Sequence, residues 1–289
     1  MQKISGSEIA QKIIDKLKSQ PRPEKILAAV SVGKNPSSAN FLQQKEKLAK
    51  ELGVDFRLYQ FPENVKNDDL RKEVNKIASL KKVGGVIIQL PLPEQINKHY
   101  VLNAIPREKD IDVLGERALG AFYAGRNPVL PPSVGVVETI LNSQSYILNS
   151  KKIAIVGLGF LIGKPIATWL MGNPSTKLGA RCPEIYLLDE GSDLSILKQA
   201  DLVISGVGKA NLFSSEDLKE NATVIDFGYS ISKAQNANSK SSTKGDFNSE
   251  RFALSDLQLA FYTPTPAGTG PILVAKIFEN FYKLNQNHK

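Results

Sequence analysis

Apolar and polar positions along the chain follow two periods in turn. "GSEIAQKIIDKLKSQ" repeats its apolar residues at three and four, as a helix with one buried face does. "KILAAVSVG" is instead a short continuous apolar run, the pattern of a strand buried on both faces. The same alternation continues through a helix in "SSANFLQQKEKLAKELG" closed by Gly53, a strand in "VDFRLYQF", a helix in "NDDLRKEVNKIASL" and a strand in "VGGVIIQL". Such order predicts right-handed βαβ units and a mainly parallel sheet.

After "PPSVGVVETILNS" a second cycle opens at "KKIAIVGLGFLIGKPIATWLM". It runs through "EIYLLD", "DLSILKQA", "DLVISGVG", "SSEDLKENA" and "TVIDFGYS", and its glycine-rich first turn suggests a dinucleotide-binding domain. The predicted class is α/β with two domains. One covers residues 1–130 and is completed by a C-terminal amphipathic helix within 265–289; the other, of Rossmann type, covers 131–264. The polar, small-residue stretch from Ser232 to Asp246 is expected to be a surface loop or hairpin tip.

Composition narrows the partners. A chain of 289 residues, 42% hydrophobic, can bury a sizeable core, and none of its apolar runs reaches the roughly 20 residues of a membrane span. Its amphipathic start is unlike a secretion signal, so a cytoplasmic protein with no membrane partner is expected. Cys182 is the single cysteine and His99 and His288 are the only histidines, so neither a disulfide framework nor a metal site is expected. The net charge of +8 favours an anionic partner. The lysines are scattered without interleaved aromatics, which argues against nucleic acid; a cofactor diphosphate or a polycarboxylate substrate accounts for the charge equally well.

Three polar groups then converge on one edge of the first sheet. In "NPSSANFLQQKEK", Ser37 or Ser38 can cap a helix on which Ser38, Phe41 and Lys45 share a face. By spacing alone, Lys45 reads first as a lysine snorkelling on a solvated edge. Its helix, however, follows a strand, so its first turn rises at the carboxyl edge of the sheet, where such folds place their sites. Gln89 ends another strand at that edge, and Pro91 and Pro93 forbid further ladder pairing. Asp112, in "IPREKDIDVLG", follows a connecting turn. Taken singly, Gln89 is equally a satisfied strand-end amide and Asp112 a turn-forming carboxylate.

"NPSSANFLQQKEK", "VGGVIIQLPLPEQIN", "IPREKDIDV", "DLVISGVGKANLF", "VIDFGYS" and "YTPTPAGTGPI" together resemble, in order and rough spacing, the bifunctional methylenetetrahydrofolate dehydrogenase/cyclohydrolase family. The resemblance spans nearly the whole chain. It implies a folate-binding domain, a Rossmann domain, a cleft between them, a tetrahydrofolate derivative as substrate, a dinucleotide cofactor and a homodimer. Carried over by position, it makes Lys45 the catalytic lysine, Gln89 its partner and Asp112 the holder of the pterin ring. Ser38, Phe41, Leu90, Pro91, Pro266 and Gly268 become substrate-binding residues. An amide is a physically suitable partner for such a lysine, because it positions the amine without stabilising its charge as a carboxylate would.

The chain also departs from the family pattern. Phe41 replaces the usual tyrosine, Val113 and Ala267 replace glycines, and "PPSV" from Pro131 to Val134 replaces proline-cysteine-threonine-proline. At the nucleotide turn, Gly157, Gly159 and Gly163 retain a close approach to diphosphate, while Leu158 stands where most members have an arginine. Asp189 and Glu190 end the next strand, where an acid accepts from a ribose 2′-hydroxyl and repels a 2′-phosphate, so NAD is favoured over NADP. Gly206, Gly208 and Tyr229 are expected beside the same cofactor. Two competing readings are another two-domain NAD(P)-dependent dehydrogenase and a catalytically decayed folate- or dinucleotide-binding protein. The first leaves "QLPLP" unexplained, and retention of Lys45, Gln89 and Asp112 argues against the second.

Overall fold

The computed structural model describes residues 2–33, 36–148, 151–172, 183–232 and 242–286, without the side chains of residues 2, 36–39, 232 and 242. Cys182 and His288 lie outside the described residues, as does the middle of the polar stretch at 233–241.

In chain order the elements are β1 (Gln2–Lys3), α1 (Gly6–Lys18), β2 (Ile26–Val32), α2 (Pro36–Leu52), β3 (Asp55–Phe61), α3 (Asn67–Ser79) and β4 (Val83–Ile88). Then come α4 (Lys98–Leu102), α5 (Glu116–Tyr123), α6 (Pro132–Ser143), β5 (Lys152–Val156), α7 (Gly163–Leu170), β6 (Glu184–Leu188), β7 (Leu202–Ser205) and β8 (Thr223–Asp226). The chain closes with β9 (Ser230–Ser232), β10 (Ser242–Lys244), α8 (Ser249–Ala253), β11 (Phe261–Tyr262) and α9 (Thr269–Asn285).

The chain forms two compact units. One holds residues 11–132 and 274–289, the other residues 1–10 and 133–273, so the division falls within α1 and α9.

The first unit is built on a three-stranded parallel sheet ordered β3-β2-β4. Its central strand β2 and its edge strand β4 are the apolar runs of the sequence: Leu27 to Val30 are fully buried, and β4 is buried throughout. α2 ends just before Gly53, whose φ of +68° is the left-handed turn that glycine adopts without steric cost. The C-terminal half of α9 is tied to this unit by side-chain amides. Asn280 donates to the carbonyls of Ile111 and Leu130, both at 2.8 Å, and Asn285 donates to that of Gly84 at 3.0 Å. β3 is the more open edge of the sheet, each of its residues exposed or half-buried.

The second unit carries a six-stranded sheet ordered β1-β11-β8-β7-β5-β6, parallel at every pairing. Phe213, Phe247, Phe252 and Tyr262 pack with Val203 and Val224 in its core. β9 and β10 pair as an antiparallel hairpin on the two sides of the polar stretch.

Two boundaries differ from those read in the sequence. β1 joins β11 at the edge of the six-stranded sheet, which draws residues 1–10 into the second unit. Residues 265–273 belong there too, because the hydroxyls of Thr263 and Thr269 bind the backbone of Asp226, at 2.7 and 3.0 Å. The short helices α4, α5 and α8 carry too few periods for the sequence pattern to declare them.

Candidate functional site

In the first unit the chain leaves β2 toward β3 and returns to β4 on the other side, so the strand order reverses between β2 and β4. A parallel sheet opens a crevice at the carboxyl ends of the strands at such a point. α2 starts after β2, and Gln89 directly follows β4, its backbone N–H continuing the ladder to the Val30 carbonyl at 2.8 Å.

Lys45, on α2, reaches this edge. Its Nζ donates to Gln89 Oε1 at 3.0 Å, and Gln89 Nε2 donates in turn to the Leu90 carbonyl at 2.9 Å. That second bond fixes which end of the amide faces the lysine. Lys45 is only 7% exposed, and burial pushes its ammonium below the ordinary lysine value, with the Asp112 charge working the other way. Asp112 is half-buried; burial raises its carboxyl, and the Lys45 charge opposes the rise. The structure therefore brings Lys45, Gln89 and Asp112 together as an amine, an amide and a carboxyl. A lysine whose ammonium is lowered by burial gives up and takes back a proton more readily than an ordinary one.

Phe41, Leu90 and Pro91 accompany them in the first unit. Phe41 and Leu90 are half-buried and Pro91 is exposed, joined to Leu90 by a cis peptide bond. The side chain of Ser38 lies outside the described residues. The helix begins at Pro36, so Ser37 and Ser38 both stand inside its first turn rather than at its cap. Proline is favoured at a first helical position because it has no N–H to leave unbonded.

Sequence reasoning overlooked Asp110. Its carboxylate accepts from the N–H groups of Leu114 at 3.0 Å and Gly115 at 2.7 Å, closing the loop that carries Asp112. Burial pushes Asp110 up to about 7 against those donors. Inside the loop Val113 holds a φ of +57°, a conformation in which a β-branched side chain is sterically strained. The only local signal for Asp110 was its spacing from Gly115, and Asp112 drew attention from it.

The second unit has its own reversal, between β5 and β7. The turn after β5 contains Gly157, Leu158 and Gly159, and Gly163 opens α7. Gly157 has a φ of +87°, and a Cβ on Gly163 would stand 1.9 Å from the Gly157 carbonyl oxygen. Only glycine permits so close a fold-back, and nothing lies within 4 Å of a Cβ placed on Gly159. The result is an open backbone cradle at the N-terminus of α7, which fits a dinucleotide diphosphate. The turn after β7, with Gly206 and Gly208, packs against it: a Cβ on Gly206 would meet Ile162 at 2.5 Å. Buried Ser133, from the altered "PPSV" segment, braces the first turn by donating to the Leu161 carbonyl at 2.7 Å.

Asp189 and Glu190 are exposed at the end of β6, and the Leu158 N–H points to Asp189 Oδ1 at 3.5 Å. Tyr229 is half-buried just beyond β8. Pro266 is exposed and Gly268 buried; both belong to this second unit, not to the unit of Lys45. Among the described residues there is no group of three or more His, Cys, Asp or Glu side chains able to hold a metal ion. None of the helices among the described residues is long and apolar enough to cross a membrane.

Comparison with known proteins finds two family segments along the chain. Residues 4–112 match the family described as tetrahydrofolate dehydrogenase/cyclohydrolase, catalytic domain, and residues 131–289 match its NAD(P)-binding domain. The bifunctional protein FolD of Lysinibacillus sphaericus is 30% identical over 292 residues, covering 98% of this chain and 97% of the relative. The solved structure of the bifunctional FolD enzyme of Campylobacter jejuni superposes with a TM-score of 0.86 at 29% identity, covering 99% of this chain and 98% of that one. A Trypanosoma brucei FolD structure, complexed with NADP and an inhibitor, shares the fold with a TM-score of 0.88 at 24% identity, covering 99% and 97% of the two chains.

Proposed function

The chain belongs to the tetrahydrofolate dehydrogenase/cyclohydrolase family, and on that premise we propose that Lys45, Gln89 and Asp112 carry its folate chemistry and the turns after β5 and β7 hold its dinucleotide. The protein is an NAD(P)-dependent enzyme of one-carbon metabolism. It oxidises 5,10-methylenetetrahydrofolate to the 5,10-methenyl compound and hydrolyses that product to 10-formyltetrahydrofolate.

The observation that carries the assignment is the buried Lys45–Gln89 hydrogen bond of 3.0 Å beside the Asp112 charge. In the oxidation, a bound nicotinamide supplies the acceptor for the hydride lost from the methylene carbon. The cation left behind is delocalised over the two flanking nitrogens, so the protein's task is orientation rather than strong base catalysis. Asp112 holds the pterin ring in that role, and Phe41, Leu90 and Pro91 form the wall beside it.

Hydrolysis makes a different demand. Water adds to the methenyl carbon and loses a proton, and the bond from that carbon to N5 then breaks as N5 gains one. Lys45, shifted toward its neutral form, takes the first proton and returns it as ammonium to the departing nitrogen. Gln89 directs the amine without pinning it in its charged form, as a carboxylate would.

The nucleotide turns favour NAD. Leu158 offers no cation to a 2′-phosphate, and Asp189 with Glu190 would repel one while accepting from a 2′-hydroxyl. A homodimer follows from the family resemblance, and the open edge of β3, with Leu58 46% exposed, is a surface suited to pairing. A single cysteine in 289 residues suits the reducing cytoplasm.

The test is to mix purified protein with 5,10-methylenetetrahydrofolate and NAD or NADP in separate cuvettes, following reduced nicotinamide, and to follow methenyl hydrolysis for wild type and Lys45→Met. Reduction with NAD, and hydrolysis abolished only in the variant, is expected. Equal hydrolysis by both proteins would remove Lys45 from the mechanism, and reduction with NADP alone would overturn the cofactor preference.

A further inference from the structure

The geometry points to Asp246 as the positioning residue that fixes the Gly206–Gly208 turn in its dinucleotide-binding shape. The inference rests on the reading above that this turn holds the dinucleotide. Asp246 itself is fully buried and would act through the turn, not on the ligand.

Its carboxylate gathers three donors, all from the end of β7 and the turn behind it. Oδ2 accepts from the Ser205 hydroxyl at 2.6 Å and the Val207 N–H at 2.8 Å, and Oδ1 accepts from the Lys209 N–H at 2.8 Å. These bonds bracket Gly206 and Gly208, two residues with no side chain to hold them. The neighbouring backbone completes the attachment. The Asn211 N–H donates to the Gly245 carbonyl at 2.9 Å and the Phe213 N–H to that of Asp246 at 3.2 Å.

Asp246 is in turn held by Asp226 at the end of β8. Asp226 accepts from the N–H groups of Gly228 at 2.6 Å and Phe247 at 3.0 Å, so the strand end grips the segment that carries Asp246. The interlock leaves no room for side chains between the two acids. A Cβ on Gly228 would stand 2.3 Å from Asp246 Oδ1, and one on Gly245 would stand 2.1 Å from Asp226 Oδ2. Placing two buried carboxylates side by side is electrostatically costly. A fold that needed only to stop the chain at this point could do so with neutral groups. What a carboxylate alone supplies is two acceptor oxygens with no donor, matched to three donors from one short turn.

The experiment uses the full-length protein with Asp246→Asn. An asparagine keeps one acceptor oxygen and turns an NH2 toward the remaining donors. Titration with NAD and with NADP should show Kd raised about tenfold or more, the loss expected when a charge-assisted hydrogen bond is replaced by a donor–donor contact. In dehydrogenase assays the loss should fall on KM for the dinucleotide, with kcat at saturation changed less than about threefold. Methenyl hydrolysis, which consumes no dinucleotide, should persist. An unchanged Kd overturns the proposal.

If Asp246→Asn loses hydrolysis as well through unfolding, Ser205→Ala decides, because it deletes one of the three donors and keeps the acid. A Kd raised about threefold with hydrolysis intact is expected, and an unchanged one overturns the proposal. Val207→Glu tests the underlying reading, since Val207 is exposed on the turn itself. If it leaves Kd unchanged, the turn is not part of the dinucleotide site and the proposal falls with it. If it weakens binding while Asp246→Asn does not, the site stands and only the positioning role is overturned.

Discussion

Lys45 and Gln89 are joined by a hydrogen bond of 3.0 Å in which the buried ammonium meets an amide and not a carboxylate. The choice of partner sets how much of the amine is neutral. Gln89→Glu would place a second negative charge beside Lys45, in addition to Asp112, and raise the lysine's pKa. Below that pKa each unit leaves about tenfold less neutral amine. The rising limb of the pH–rate profile for methenyl hydrolysis should therefore move to higher pH, with activity near pH 7 reduced about tenfold and recovered in alkali. A limb that stays in place would mean that this pair does not control the titrating amine.

At the end of β6, in the proposed nucleotide site, Asp189 is exposed and has its own N–H bound to the Ser192 hydroxyl at 2.9 Å, so its backbone position does not depend on the carboxylate. Asp189→Ala should leave the fold unchanged and remove the charge that opposes a 2′-phosphate. The ratio of kcat/KM for NAD over NADP is expected to fall about tenfold, through improved use of NADP as well as weakened use of NAD. A ratio that does not change would assign the discrimination to another residue.

Much of the layout was legible in the sequence because parallel strands buried on both faces announce themselves as apolar runs, as Ile26–Val32 and Val83–Ile88 do. The convergence of Lys45 and Gln89 was legible because the helix that follows one parallel strand and the end of another stand at the same carboxyl edge of a sheet; the reversal between β2 and β4 was not. What escaped was held by single polar contacts between residues far apart in the chain. Asp246 is the last residue of the polar stretch expected to form a surface loop, yet it is fully buried, and its partners Ser205, Val207 and Lys209 are 37 to 41 positions away. The placement of residues 265–273 was missed for the same reason, because it depends on the bonds of Thr263 and Thr269 to Asp226.

The two departures at family glycine positions prove to share a backbone property. Ala267 has a φ of +74° and Val113 one of +57°, both in the left-handed region. A side chain there costs roughly 1–2 kcal/mol. Ala267 is exposed, so Ala267→Gly relieves that cost and loses only the roughly 0.4–1 kcal/mol of extra unfolded-chain freedom. It should stabilise the protein by about 0.5–1 kcal/mol, visible as a Tm raised by about 1–3 °C. Val113 is fully buried, and deleting its side chain forfeits roughly 1.5–3 kcal/mol of burial. Val113→Gly should therefore be neutral or destabilising. If both variants shift Tm in the same direction and by the same amount, burial is not what separates them.

The buried acids give the fold a pH dependence of definite sign. Burial, and then the Asp246 charge, push Asp226 up to about 7, whereas in the unfolded chain it titrates near 4. Between those values the folded protein holds a proton that the unfolded chain has released. The stabilisation is therefore fully present below about pH 4 and is lost as pH rises through about 7. Asp110, also pushed up to about 7 by burial, contributes with the same sign from the other unit. Urea midpoints should accordingly fall between pH 5 and pH 8, each acid contributing a slope of at most about 1.4 kcal/mol per pH unit. Asp226→Asn carries no titrating proton, so its midpoint should decline less steeply over that interval while Asp110 still contributes. Parallel declines in wild type and variant would show that Asp226 remains ionised in the folded protein. The hydrogen bonds from Gly228 and Phe247 would then outweigh the burial and the neighbouring charge.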